Sequence, residues 1–183
     1  MSKFVKKVGK VEYYEIDGIR AAGIIPYYIK QGQVYILINE EYRNGKLVNN
    51  IIGGKVDKVD KVIEDTMTRE FNEETGFLIS DILKILKGKN KFLNEKFFFE
   101  KSKYMLGLLN VSNTFEWKIL PDLYHKIFKD VEVFNDRDSN SLKWVSLFEF
   151  DENMSYLLTM VTNKLKYSKL FRKYNKRKMP LFA

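Results

Sequence analysis

The stretch GGKVDKVDKVIEDTMTREFNEETGF, residues 53–77, sets two glycines ahead of a helical pattern that ends in Arg-Glu-x-x-Glu-Glu-x-Gly. Ile63, Met67 and Phe71 recur every four residues, an apolar stripe suited to packing a helix on a sheet, and the spacing predicts that helix over residues 60–75. At about 100° per residue, Glu70, Glu73 and Glu74 fall within roughly a 100° arc, so three carboxylates point at one volume. Like charges at that density call for a counter-charge. Oxygen-only donors suit a hard divalent cation, Mg²⁺ or Mn²⁺, of the kind that sits between carboxylates and substrate phosphates. The plainer reading is an acidic helix end with a solvated face and Gly76 as its left-handed C-cap. The joint occurrence of Gly53-Gly54, the acidic triplet and Gly76 favours the metal-binding reading.

These residues resemble the Nudix box, G-x5-E-x7-R-E-U-x-E-E-x-G-U, with U a bulky apolar residue. Gly54, Arg69, Glu70, Phe71, Glu73, Glu74, Gly76 and Phe77 fill its positions. The first Glu of the pattern is best matched by Asp60, and one extra residue stands between Gly54 and Arg69, in the loop between Asp57 and Ile63. The resemblance implies a Nudix-type α/β/α sandwich with a mixed sheet and hydrolysis of a pyrophosphate bond in a nucleoside diphosphate linked to another group. It implies Glu70, Glu73 and Glu74 as ligands of Mg²⁺ or Mn²⁺, one of them doubling as base. Arg69 then orients a box carboxylate through a charge-assisted hydrogen bond rather than touching substrate. Gly53, Gly54 and Lys55 are the expected substrate-side residues, because missing side chains let backbone approach metal and phosphate. Many family members recruit a further carboxylate downstream; Glu116 is the first choice here and Glu132 the second. A non-catalytic Nudix-fold RNA-binding protein is the competing class, although none of the three box carboxylates is lost.

With 183 residues, 45% of them hydrophobic, the chain suits one domain with a sizeable core. It has no cysteine, which excludes disulfides, thiolate metal sites and a cysteine nucleophile, and its single histidine argues against zinc. No apolar run approaches the roughly 18 residues of a membrane span, and the start, MSKFVKKVGKVEYY, lacks the apolar core of a signal peptide. The expectation is a soluble cytoplasmic protein with no membrane partner.

The formal net charge of +8 biases the surface towards polyanions. Residues 164–178, KLKYSKLFRKYNKRK, carry eight basic residues and no acid, with Tyr167, Phe171 and Tyr174 interleaved. Read as the core of a basic C-terminal extension over 164–183, this is equipment for a single-stranded nucleic-acid contact; the alternative is a solvated tail.

Strands are expected at 11–16, 20–29 and 34–38, the last two as a hairpin, followed by a polar loop over 40–46 and a run at 47–52 into the glycine pair. Further strands are expected at 77–80, 91–99, 104–111, 115–120 and 142–147, with a short helix at 122–128 that holds His125 on a surface. Asp151 is the expected cap of a last helix with Met154, Leu157, Leu158, Val161 and Leu165 on its apolar face. Tyr42, Tyr104 and Trp117 are candidates for stacking on a base, although with aromatics at 15% of the chain each is better read as core. The style of the box and the preceding AAGIIPYY strand are similar to Nudix proteins of large DNA viruses and some AT-rich eukaryotes; a viral protein would sit in a host cytoplasm. In that group mRNA decapping and hydrolysis of diphosphoinositol polyphosphates are the themes, so capped RNA is the favoured substrate and an inositol pyrophosphate the alternative.

Overall fold

The computed structural model describes residues 3–8, 11–43, 45–75, 95–112, 141–149 and 153–175. Strands β1 (Lys3–Val8) and β2 (Val11–Ile16) form a separate antiparallel ribbon. Among the described residues the main sheet has seven strands. Strand β3 (Ala21–Lys30) turns at Gln31-Gly32, both at positive φ, into β4 (Gln33–Arg43), and β4 pairs onward with β5 (Lys46–Asn50). The short β6 (Gly53–Lys55) lies antiparallel to the start of β3, and helix α1 (Ile63–Thr75) follows it. Strand β7 (Glu95–Phe99) pairs antiparallel with β8 (Tyr104–Asn110). Because β8 runs parallel to β3 while β9 (Ser141–Ser146) is antiparallel to β4, the sheet is mixed.

Alternation along β3 and β4 splits the core between the two faces of the sheet. On one face Ala22, Ile24 and Leu37 receive Met67 and Phe71 of α1, two members of the apolar stripe in the sequence. On the other, Ile25, Tyr27, Ile36 and Ile38 receive Leu158, Val161 and Leu165 of helix α2 (Tyr156–Lys166). Phe171, just before the single-turn α3 (Arg172–Asn175), meets Tyr27 edge to face at 5.0 Å. Each such fully buried side chain contributes about 1.5–3 kcal/mol of transfer free energy, which holds both helices to the sheet. The result is the α/β/α sandwich expected from the box.

Several local expectations shift. Helix α1 begins at Ile63 rather than at 60, because the carboxylate of Asp65 accepts the backbone N–H groups of Lys61 and Val62 and closes the turn before it. The N-cap of α2 is Ser155, whose hydroxyl accepts the Leu158 N–H at 3.1 Å; Asp151 lies outside the described residues. The polar loop expected over 40–46 is strand on both sides of a tight turn with Gly45 at φ 75°. Its acids are paired there: Glu40 with Ser141 and Lys143, Glu41 with Asn50 and Arg43. The glycine pair lies in strand β6, not in a loop. The strands expected at 77–80 and 115–120 and the helix at 122–128 lie outside the described residues.

Candidate active site

Strand β6 sets Gly53 opposite Gly23 and Gly54 opposite Ala22. A methyl group at Gly23 would fall 2.1 Å from the Tyr104 hydroxyl and 2.3 Å from the Ile52 carbonyl oxygen. At Gly53, whose φ is +154°, it would fall 2.5 Å from the Gly23 Cα. The two backbones therefore touch, and only glycine fits at either position. Gly54 differs, because what its missing side chain admits is a residue of α1: a methyl there would fall 2.3–2.5 Å from the carboxylate atoms of Glu70.

Helix α1 carries the acidic triplet, and Arg69 organises it. The Arg69 guanidinium grips Asp60 through Nε at 3.2 Å and Nη2 at 3.1 Å. The same group donates from Nη1 to Glu70 at 2.7 Å and Glu73 at 3.1 Å, and from Nη2 to the Lys55 carbonyl at 2.7 Å. All three nitrogens are engaged within the protein, as expected of a group that orients carboxylates. Burial alone would lower its pKa, but hydrogen bonds and charge from Asp60 and Glu70 outweigh that and raise it.

Asp60, at the position of the pattern's first Glu, is buried. It accepts from the Asp57 N–H at 2.8 Å and the Thr66 hydroxyl at 2.8 Å besides Arg69. It anchors the lengthened loop to the helix and holds Arg69 from behind. Burial pushes its pKa up, but the bonds from Arg69, Asp57 and Thr66, with the Arg69 charge, bring it below the ordinary value. Glu70 goes the other way: desolvation raises it, Arg69 pulls it down, and the charges of Glu73 and Asp60 push it up again, leaving it raised.

Glu74 points elsewhere. Its Oε2 accepts the Gly53 N–H at 3.0 Å and the side-chain amide of Asn39 at 3.1 Å. Glu73 is the most open of the three, with its side chain 48% exposed against 15% for Glu70. The carboxylates thus share one helix face beside β6, each held by its own partners. Among the described residues no three acidic, histidine or cysteine side chains converge into a ready-made cation cage. The donor chemistry fits a hard divalent cation nonetheless: the three glutamates offer only oxygens, and Glu70 is desolvated beside further negative charge in the hollow left by Gly54. Glu70, Glu73 and Glu74 could hold such an ion.

The other expected site residues divide sharply. Lys55 is exposed next to Gly54, with its carbonyl on Arg69. Tyr104 is no stacking platform, since it is 4% exposed and its hydroxyl sits without a partner against Gly23 and Gly53. Phe171 is fully buried and so is not open to a base; Tyr174 is half-buried against the same core, and Tyr167 is 77% exposed. Glu116, Glu132, Trp117, His125, Gly76, Phe77, the residues beyond 175 and the side chain of Tyr42 lie outside the description. Asn39 escaped the sequence reading. Its one signal was a lone amide in the apolar run of β4, visible only once that strand's inner face is known.

A family model, the NUDIX domain, matches residues 19–158, from just before β3 into α2. The chain belongs to the Nudix family. Among solved structures it is similar to an Ap4A hydrolase of C. elegans in a binary complex, at 17% identity over 86% of this chain and 97% of that one, with a TM-score of 0.44. The Nudix hydrolase RenU of M. smegmatis shares 9% identity over 85% and 88% of the two chains, with a TM-score of 0.44. The NUDIX domain of Shewanella oneidensis NrtR, in complex with ADP ribose, shares 9% over 82% and 88%, with a TM-score of 0.42. No curated protein matches the sequence significantly.

Proposed function

We propose that this Nudix hydrolase requires Mg²⁺ or Mn²⁺ and cleaves a nucleotide-linked pyrophosphate, with capped RNA as its substrate in the cytoplasm. The observation that carries the reading is the row of carboxylates beside β6: Glu70 over Gly54, Glu74 on the Gly53 N–H, and Glu73 open to solvent on the same helix face. Glu70, Glu73 and Glu74 would hold the divalent ion, which when bound would neutralise phosphate charge and make water more acidic. Glu73 or Glu70 takes the proton of the attacking water. Arg69 keeps those two carboxylates directed, and its bonds to Asp60 and the Lys55 carbonyl tie them to the β6 strand. The Gly54 backbone and Lys55 lie on the side where phosphates approach. Glu116 is the proposed additional ligand.

Capped RNA is favoured by the net charge of +8 and by the α2–α3 surface, where Lys164, Lys169, Arg172 and Lys173 are exposed beside Tyr167. A diphosphoinositol polyphosphate is the second reading. It gains from the burial of Phe171, which leaves Tyr167 as the one largely exposed aromatic among the described residues of the basic run. Hydrolysis assays with Mg²⁺ and Mn²⁺ against capped RNA, dinucleoside polyphosphates, ADP-ribose, nucleotide sugars and inositol pyrophosphates test both readings. Turnover of capped RNA above the other substrates is expected. Preference for an inositol pyrophosphate replaces it by the second reading, and RNA binding without hydrolysis of any substrate removes the catalytic one.

A further inference from the structure

Strand β4 is apolar where it crosses the sheet: Val34, Ile36, Leu37 and Ile38 are each fully buried. Asn39 follows them at 1% exposure. It shares a face with Leu37, two residues away, which packs against Met67 and Phe71 of α1, so the amide looks towards the catalytic helix. In register it stands beside Asn50 of β5 and Leu142 of β9. Its amide nitrogen donates to Oε2 of Glu74 at 3.1 Å, while its own Oδ1 is buried without any partner. A buried polar atom left unmet costs about 1–3 kcal/mol, so an aliphatic residue would serve the core better here.

The bond to Glu74 accounts for the amide. Asn39 and the Gly53 N–H both donate to the same carboxylate oxygen, from β4 on one side and β6 on the other. Both donors are neutral, so these two bonds fix the direction of the carboxylate without cancelling its charge. Arg69 acts oppositely on Glu70 and Glu73, since its single positive charge, shared with Asp60, offsets part of theirs. We propose that Asn39 is a positioning residue for the hydrolase, which with the Gly53 N–H holds Glu74 in the orientation that receives the divalent cation. This rests on the proposed role of Glu74 as a metal ligand. Residues that orient a ligand from outside the coordination shell are commonly worth about 10–100-fold in metal affinity or activity.

The test replaces Asn39 with leucine, which keeps the shape and removes the donor. Mn²⁺ binding is measured by titration calorimetry in the absence of substrate, alongside kcat, KM and the melting temperature. Asn39→Leu is expected to bind Mn²⁺ about tenfold more weakly and to lose about tenfold in kcat, with KM little changed and the melt no lower than wild type. In a Glu74→Gln background the same change is expected to have little further effect on Mn²⁺ binding, since the two act through one carboxylate. Should the leucine variant not fold, Asn39→Ser removes the amide with less bulk and carries the same expectation. Wild-type Mn²⁺ affinity and kcat in the folded variant would overturn the inference, whatever happens to the melt. A wild-type protein that binds no Mn²⁺ and hydrolyses nothing overturns the proposed function itself, and the role of Asn39 with it.

Discussion

The carboxylate of Glu70 occupies the space that a side chain at Gly54 would need, with its Oε2 lying 2.3 Å from where a methyl carbon there would sit. A glutamate tip can swing, unlike backbone, so Gly54→Ala is expected to fold with near wild-type stability while displacing Glu70 from β6 and from Arg69. Turnover is expected to fall by about 100-fold, the scale of losing a group that acts on transition-state charge. Melting curves and steady-state kinetics on the same preparation check it. Normal turnover in the alanine variant would mean that Glu70 needs no such placement.

Gly23 makes the opposite case, because a methyl group there meets the Ile52 carbonyl at 2.3 Å and the Gly53 Cα at 3.1 Å, neither of which can rotate away. Gly23→Ala is expected to destabilise by about 3 kcal/mol or more, the upper range for overpacking. Tyr104→Phe, which only removes the unpartnered hydroxyl, is expected to leave stability unchanged or raise it by about 1 kcal/mol. Urea denaturation of the two variants separates the effects: backbone contact, not the hydroxyl, should dominate.

How much of this was legible in the sequence follows the range of the interactions. The face of α1 was readable, since Ile63, Met67 and Phe71 at one spacing and Glu70, Glu73 and Glu74 at another need only the helical period. The glycine pair was readable as a close approach, but not as a strand, because its partner is the distant β3. Glu40 and Glu41 read as loop residues. They lie in a strand where Lys143 and Arg43 meet their charges and Asn50 donates to Glu41; the Glu40–Lys143 pairing across a hundred residues leaves no local mark. The basic run hid Phe171 for a related reason: the surrounding charges suggested solvent, whereas its ring packs on Tyr27, far upstream.

Glu73→Gln and Glu74→Gln each remove a negative donor at constant size. Both variants are expected to keep the fold and to lose at least about 100-fold in turnover. Hydrolysis by the wild type should need added Mg²⁺ or Mn²⁺ and be indifferent to thiol reagents, since the chain has no cysteine. Full activity in excess EDTA, or near wild-type turnover by either variant at saturating metal, would refute the assignment of the box.

The Asp60–Arg69 pair predicts a particular dependence of stability on pH. The folded pKa of Asp60 is depressed, so its contribution is complete above the unfolded value of about 3.9 and is lost as pH falls through the folded one. Arg69 is shifted up and stays charged throughout. The difference in melting temperature between wild type and Asp60→Asn is expected to be constant from about pH 5 upward and to narrow below about pH 4. A difference that instead grew on acidification would show that Asp60 is not held as an ion.

The α2–α3 surface supplies the last prediction. Lys169, Arg172 and Lys173 are exposed, and Tyr167 stands out beside them, while Leu165 and Phe171 fix the same segment to the core. If this surface guides RNA, neutralising the three bases together with Lys176, Arg177 and Lys178 should weaken RNA binding and flatten its salt dependence, because fewer counterions are released. Tyr167→Ala should cost a further 1–3 kcal/mol, roughly the value of one stacked base. Hydrolysis of a small cap analogue should hardly change, since Lys169, Arg172, Lys173 and Tyr167 make none of the contacts around the β6 carboxylates. Unchanged RNA affinity and salt slope would leave the surface merely solvated. The basic charge would then favour a compact polyanion, and an inositol pyrophosphate would become the substrate to pursue.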